Sequence, residues 1–180
     1  ERSQVPVKLL KILHGMLGPE GRLLLGADNR LGIRYFCGDR DAFTGRNFDS
    51  IENYVRINGA DMGQLEGRAY ARAELGQMLK EAGFSRYRFY SVLPALVRPQ
   101  AIFAEDYLPE EELEVRIFPQ YHYPDTVFLE EERLYTTLIE NGLFHILANG
   151  YFVECPMDGC FSNVRQVTLS MDRGAMNGLM

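Results

Sequence analysis

The sequence predicts an α/β fold from three observations. Residues 8–28 open with apolar positions at helical spacing and pass through a tight turn into the apolar run LLLGA. RAELGQMLKEA is a second amphipathic helix, and a Tyr- and Phe-rich segment typical of a strand follows it. The first apolar run does not alternate, which is typical of a strand buried on both faces of a mostly parallel sheet.

The composition excludes several classes of protein. The 180-residue chain is 46% hydrophobic, which is enough for a sizeable core. No apolar run approaches the roughly 20 residues that span a bilayer. A net charge of −6 without a Lys/Arg cluster argues against a nucleic-acid surface. Three cysteines, an odd number, and the lack of a signal-peptide pattern predict a cytoplasmic location. Since the first residue is Glu1 rather than Met, we expect a cut or processed end.

The first predicted helix covers residues 5–17 and the first strand covers residues 22–27. Pro6 is tolerated because the amides of a first helical turn have no intrahelical acceptor, and Gly18 ends the helix. Polar residues follow at the carboxyl end of the strand, where ligands bind in open α/β sheets.

Three of these polar residues, Asp28, Asn29 and Arg30, are therefore candidate site residues. The alternative is that they cap the next helix or hold the loop.

The middle of the chain alternates irregular and regular segments. The long connection of residues 39–66 is either a functional lid or a surface excursion with its own aromatic cluster. A helix over residues 72–82 is expected to end at Gly83 in the left-handed conformation. Strands over residues 87–93 and 101–104 are expected to pair as an antiparallel hairpin.

The pattern changes beyond residue 105. Residues 106–126 contain prolines among acidic and aromatic residues, which predicts a crossing segment. Asp125 or Thr126 is then expected to cap a helix that stops at 141–142 and has the acidic run 130–132 in its opening turn.

The last predicted elements are two strands over residues 151–155 and 164–169, joined at 158–159. Cys155 and Cys160 could then face each other across a hairpin, but they lack further ligands at zinc spacing, so no metal site is predicted. Residues 173–180 look like an interrupted helix or strand.

These patterns predict three parts of the chain. Residues 1–106 form an α/β unit, residues 107–125 form a linker or crossing segment, and residues 126–180 form a small α+β segment that opens a possible second domain.

The first hundred residues resemble the C-terminal half of a class I S-adenosylmethionine-dependent methyltransferase, whose sheet is Rossmann-like. The run LLKILHGMLGPEGRLLLGADN is similar to the helix, turn and fifth strand of that fold, although Glu20 replaces a glycine. AELGQMLKEAGF resembles the helix before the sixth strand. RYRFYSVLP and PQAIFAEDYLP resemble the sixth and seventh strands, a reversed hairpin.

A narrower resemblance is to methyltransferase modules of bacterial cell-surface glycan synthesis. DNRLGIRY and FTGRNFDSIENY are similar to motifs that follow the fifth strand there, and residues 126–171 look like the segment that comes next.

The resemblance implies methyl transfer from S-adenosylmethionine to a sugar-related or other small acceptor. Asp28 is the candidate base, and Asn29, Arg30, Arg34 and Tyr35 are candidate acceptor-binding residues, since guanidinium groups suit an anionic acceptor such as a nucleotide-linked sugar. The Gly-x-Gly turn that holds the cofactor is absent, so the chain by itself is expected to bind the cofactor poorly and to be inactive.

Two other expectations concern partners. An incomplete sheet leaves residues 23–27 at an open apolar edge, which predicts self-association, docking of a missing N-terminal half, or coverage by the C-terminal segment. The alternative function is a non-catalytic assembly module of a polysaccharide machine, with Tyr107, Tyr121 and Tyr123 as exposed contact residues. A nucleotide-using oxidoreductase is weakened by the lack of a dinucleotide fingerprint.

Overall fold

The structure, a computed structural model, describes residues 4–57, 67–110 and 112–169. The predicted helices at 5–17 and 72–82 and strands at 22–27, 87–93 and 101–104 are confirmed. The predicted tail at 173–180 and part of the 39–66 connection lie outside the described residues. The elements are α1 (Gln4–Met16), β1 (Arg22–Asp28), α2 (Ile33–Phe36), α3 (Arg72–Ala82), β2 (Arg88–Leu93), β3 (Ala101–Ala104), α4 (Tyr135–Glu140), β4 (Gly150–Pro156) and β5 (Gln166–Thr168), with 3-10 turns at Leu113–Val115, Pro124–Thr126 and Glu131–Leu134.

The five strands form one open sheet in the order β1-β4-β2-β3-β5, and every neighbouring pair is antiparallel. β4 runs antiparallel to both β1 and β2, so β1 and β2 are parallel to each other. A mixed fold of helices and one open sheet is confirmed, and so is the β2–β3 hairpin. The prediction of a mostly parallel sheet is wrong. β4 lies between β1 and β2, which a helical crossover joins in the same direction, and it runs antiparallel to both.

The first strand is partly buried on one face and exposed on the other, so it is not buried on both faces as predicted. Leu23, Leu25 and Ala27 pack against the helices, whereas Leu24 on the other face is 68% exposed. An uninterrupted apolar run therefore occupies a half-exposed strand, because successive side chains point to opposite faces.

Both longer helices pack on one face of the sheet. Val7 and Leu10 of α1 and Leu79 of α3 lie in one cluster with Phe89 of β2 and Val153 of β4. The helices thus cover β1, β4 and β2 from the same side.

Gly83 ends α3 as predicted. Its φ of 104° is left-handed, and its N–H donates to the carbonyls of Leu79 and Lys80. Phe84 then turns back into the core, where it is buried.

A second apolar cluster joins β3 to irregular segments. Phe103 packs there with Leu113 and Ile117, which come from the predicted linker, and with Tyr135 and Phe144 from the segment before β4. The crossing segment is therefore part of the core.

The last two strands do not pair with each other, so the predicted C-terminal hairpin is wrong. β4 inserts between β1 and β2, and β5 pairs with β3. After β4 the chain crosses the sheet, where the N–H of Ser162 donates to Glu154 Oε1 at 2.9 Å. Cys155 is buried and Cys160 exposed, and both are free. β4, which comes from the predicted α+β segment at 126–180, is a central strand of the sheet.

The predicted long helix after residue 126 is also wrong. Asp125 and Thr126 lie in a 3-10 turn and cap no helix, and α4 is only six residues long. The predicted stop is confirmed at Gly142, which has a φ of 68°. No helix within the described ranges is long and apolar enough to cross a membrane.

Candidate functional site

The candidate site lies where β1 and β2 end and β4 begins. Asp28 closes β1, Pro94 follows β2, and Gly150 opens β4 between them. Because β1 and β2 are parallel, their carboxyl ends meet at one edge of the sheet, where α/β proteins bind ligands. A Cβ atom on Gly150 would lie 3.8 Å from Asp28 Oδ1, so glycine keeps one side of this carboxylate free of a side chain.

Asp28 carries a half-buried carboxylate that accepts no hydrogen bond from any described residue. Burial raises its pKa, the positive charges of Arg34 and His122 oppose the rise, and Asp41 adds to it. A carboxylate with raised proton affinity and no internal donor is suited to accept a proton or a hydrogen bond from a ligand.

Arg34 is a buried cation near this carboxylate, with 4% of its surface exposed. Its Nη2 donates to the carbonyl of Pro94 at 2.6 Å, and its backbone N–H donates to Asn149 Oδ1 at 3.0 Å. Its Nε is buried without a hydrogen-bond partner in the described chain. The Nε–H of Arg34 is thus a buried donor without an acceptor, whereas buried donors in proteins normally have one.

Tyr35 is buried beside the same two charges. Burial raises the pKa of its hydroxyl, Arg34 opposes the rise, and Asp28 and Asp41 add to it. No hydrogen bond joins that hydroxyl to another described residue. The structure thus brings three of the five predicted residues together: Asp28, Arg34 and Tyr35.

Asn29 is adjacent to the site but has no exposed atoms. Its Nδ2 donates to the carbonyls of Ile146 and Ala148, both at 2.8 Å, and lies 3.0 Å from the hydroxyl of Tyr151. Its Oδ1 accepts from the N–H of Leu31 at 3.1 Å. In this conformation Asn29 ties the end of β1 to the segment before β4.

Arg30 points away from the other candidates. Its Nε lies 2.7 Å from Glu74 Oε2 at the start of α3, and its Nη1 donates to the carbonyl of Ile51 at 3.1 Å. Arg30 therefore holds the start of α3, and the loop that contains Ile51, against the end of β1. This matches the alternative in which the residue holds a loop and does not bind a ligand.

The connection after α2 is tied down by buried carboxylates. Asp39 accepts from the backbone N–H groups of His122, at 3.1 Å, and Tyr123, at 2.8 Å. Asp41 accepts from the hydroxyl of Tyr54 at 2.9 Å. The described part of the predicted lid is thus held in place, and it brings His122 to the site.

Glu131 and Asn149 are site residues that the sequence did not indicate. Asn149 Nδ2 donates to Glu131 Oε1 at 3.0 Å and to the carbonyl of Pro94 at 2.9 Å. The hydroxyl of Tyr135 donates to Glu131 Oε1 at 3.0 Å. Burial raises the pKa of Glu131 to about 7, although Arg34 and the hydrogen bonds from Asn149 and Tyr135 oppose the rise. Its position in the acidic run 130–132 predicted the opening turn of a helix, not a buried site residue.

The chemistry available at this edge is proton transfer and anion recognition. Asp28 can accept a proton, and the positive charge of Arg34 can offset the charge of an anionic ligand. No group of metal-ligating side chains occurs within the described residues. The Gly-x-Gly turn expected of a cofactor site is absent from the sequence.

The three tyrosines of the assembly-module alternative are half-buried and engaged within the chain. Tyr107 stacks on Phe103, with centroids 6.5 Å apart. Tyr123 lies beneath the guanidinium of Arg40, 5.3 Å from its ring centroid, and the Tyr121 hydroxyl accepts from a backbone N–H. They are therefore not the exposed contact residues that the sequence suggested.

Comparison with known proteins assigns neither a family nor a function to the chain. No family model matches the chain, and no curated protein or solved structure is significantly similar to it. A functional conclusion therefore depends on the residues and their geometry.

Proposed function

We propose that this chain is the C-terminal half of an S-adenosylmethionine-dependent methyltransferase that acts on a sugar-related or other small acceptor. The observation that carries the proposal is the reversed strand β4 between the parallel strands β1 and β2. Each parallel strand follows a helix, and both helices lie on one face. The resemblance implies a reversed strand at this end of the sheet; β4 fits that place better than residues 101–104, to which the sequence assigns it.

The chain contributes the acceptor side of such a site. Asp28 takes the proton of an acceptor hydroxyl, because its carboxylate has no donor within the described protein and its pKa is raised by burial. Arg34 supplies positive charge for an anionic acceptor. The described residues do not fit the cofactor, whose Gly-rich turn must come from polypeptide outside these 180 residues.

The location and partners belong to the same proposal. All three cysteines are free, which supports a reducing, cytoplasmic compartment. The proposed partners are the acceptor and a polypeptide that carries the cofactor turn.

The first test is to determine the coding sequence that precedes Glu1. The proposal expects an apolar strand, a Gly-x-Gly turn, a helix and then a strand that ends in an acidic residue. An unrelated domain at that position would contradict it.

The second test uses the longer polypeptide so defined. It should bind S-adenosylmethionine in isothermal titration calorimetry and transfer a labelled methyl group to a nucleotide-linked sugar. Asp28→Asn should reduce transfer about 10²-fold or more and leave cofactor affinity unchanged, as expected for loss of a general base. The matched control is Asp125→Asn, at an exposed aspartate outside the site. Full activity of Asp28→Asn, or no cofactor binding at all, would contradict the proposal.

A further inference from the structure

A groove lies between α3 and the strand β2. Its volume of about 690 Å³ is in the range of small-molecule sites. Phe89 of β2 and Gly76 of α3 line it and are themselves buried. A cavity of this size with a few polar groups among apolar walls is typical of a ligand site.

The groove is separate from the surfaces described above. Leu75 and Leu79 of α3 pack in the core with α1, whereas Gly76 and Lys80 of the same helix line the groove. β4 separates β2 from β1 in the sheet, so the groove does not lie at the edge of β1. None of the described residues that line the groove belongs to the proposed methyl-acceptor site. The inference below therefore does not depend on the proposed methyl transfer.

One part of the groove carries two hydrogen-bond donors that have no acceptor within the described chain. Lys80 is exposed, and its ammonium group forms no ion pair with a described residue. The hydroxyl of Tyr87 forms no hydrogen bond to a described residue. A Cβ atom on Gly76 would lie 3.0 Å from this hydroxyl, so the hydroxyl lies against the backbone of α3. Because Gly76 and Lys80 are one helical turn apart on the same face, both donors serve the same part of the groove.

The opposite end of α3 contributes no net charge to the groove. Arg72 is paired with Glu105, and its guanidinium lies over the ring of Phe89, 4.8 Å from the centroid. Leu31 and Ile146 also line the groove, and Ile146 is 47% exposed. The described lining thus combines apolar walls with one positive charge, that of Lys80, that no carboxylate offsets.

We propose that this groove binds a small amphipathic carboxylate. The carboxylate accepts hydrogen bonds from the Lys80 ammonium and the Tyr87 hydroxyl, and those to charged groups are the stronger kind. The apolar body of the ligand lies along Leu31 and Ile146, where its burial is favourable. Arg72 and Lys80 are eight residues apart, or about 12 Å along a helix, which sets the length of ligand that fits.

The charge of the groove defines its selectivity. An amine of the same length would place a second positive charge beside Lys80. A neutral alcohol would leave the ammonium group without a counter-charge. The groove therefore discriminates against both relative to a carboxylate.

The first experiment titrates the nitrogen-15-labelled chain with octanoate, octanol and octylamine and follows the backbone amide signals by NMR. Octanoate should bind at least about tenfold more tightly than the alcohol or the amine. The largest shifts should occur at Gly76, Gln77 and Tyr87. Equal affinity for octanoate and octanol, no octanoate binding, or shifts confined to other parts of the chain would overturn the proposal.

The second experiment tests the charged end of the groove. Lys80→Gln should weaken octanoate binding at least about tenfold and leave octanol binding unchanged, whereas Lys80→Arg should keep the affinity of the unaltered chain. The matched control is Lys11→Gln, at an exposed lysine of α1, which should bind as the unaltered chain does. Unchanged octanoate binding in Lys80→Gln would contradict the proposed role of this charge.

The third experiment tests the apolar wall. Ile146→Asn should weaken the binding of octanoate and octanol alike, because both lose the same apolar contact. Leu143→Asn, at a 41% exposed leucine of the same segment that does not line the groove, is the control. Equal effects of the two substitutions would show that the ligand does not lie along Ile146, and the proposed site would be wrong.

Discussion

Two regions on the helix-bearing side of the sheet are built differently. Under α1 and α3, apolar side chains from regular elements pack together. At the carboxyl ends of β1 and β2, irregular segments bury polar and charged groups instead. The first arrangement stabilises the fold directly, whereas the second holds groups that are costly to bury, a pattern typical of functional sites. The buried polar residues of this second region include Asn29, Arg34, Asp39, Asp41, Asp49, Ser50, Glu131 and Asn149.

The largest effect is expected from truncation in the apolar region. Leu79 of α3 is fully buried, so Leu79→Ala should lower the free energy of unfolding by about 3–5 kcal/mol through lost burial and a cavity. Urea unfolding followed by circular dichroism measures this. Val97→Ala, at an 83% exposed position, should change stability by less than about 0.5 kcal/mol. Similar losses for both variants would mean that the packing under α3 is not the main source of stability.

The polar region should respond through its hydrogen bonds. Asn149→Ala leaves the N–H of Arg34, the carbonyl of Pro94 and the carboxyl of Glu131 each without one partner. We expect a loss of about 2–3 kcal/mol in the same unfolding measurement, because these groups stay buried. Asn141→Ala is the control, since the Asn141 amide bonds to Thr137 at the exposed end of α4. A neutral Asn149→Ala variant would show that these groups find other partners.

The sequence predicted the apolar region well because its information is local. Helical spacing located α1 and α3, and Gly83 marked the end of α3. The place of β4 could not be predicted in the same way, since strand pairing depends on residues far apart in the chain. Leu25 of β1, for example, pairs with Val153 of β4, and no local sequence pattern links these two residues.

The candidate site was predictable in part for the same reason. Asp28 was found because it follows an apolar strand, and Arg34 and Tyr35 come shortly after it in the sequence. Glu131 and Asn149 were missed, because an acidic run and a lone asparagine look the same whether solvated or buried. Their role becomes visible only when Asn149 is seen to bridge Glu131 and Pro94.

The charge on Glu131 makes the polar region sensitive to pH. Its folded pKa of about 7 lies above the ordinary value of 4.5, so the folded state binds the proton more tightly than the unfolded state. The free energy of unfolding should therefore fall as pH rises from 4.5 through about 7. Between about pH 5 and pH 8 the loss should be on the order of 2 kcal/mol.

Substitution by glutamine isolates this contribution. Glu131→Gln cannot ionise, so its stability should change less with pH than that of the unaltered chain, and the two curves should diverge at high pH. Glu140→Gln, at the exposed end of α4, should keep the original pH dependence. Parallel curves for the unaltered chain and Glu131→Gln would mean that Glu131 is ionised at ordinary pH despite its burial.

The smallest effect, and a gain rather than a loss, is expected at Asp28. Because burial raises its pKa and no described residue donates a hydrogen bond to it, its ionised form destabilises the fold as pH rises above the ordinary value of 3.8. Asp28→Asn should therefore raise the free energy of unfolding at neutral pH by up to about 1 kcal/mol, as substitutions at strained functional positions do. Asp41→Asn should instead destabilise the chain, because Asp41 accepts hydrogen bonds from two backbone amides and from Tyr54. A loss of stability in Asp28→Asn would show that the Asp28 carboxylate stabilises the fold. That result would contradict the inference that this carboxylate is available to bind a ligand.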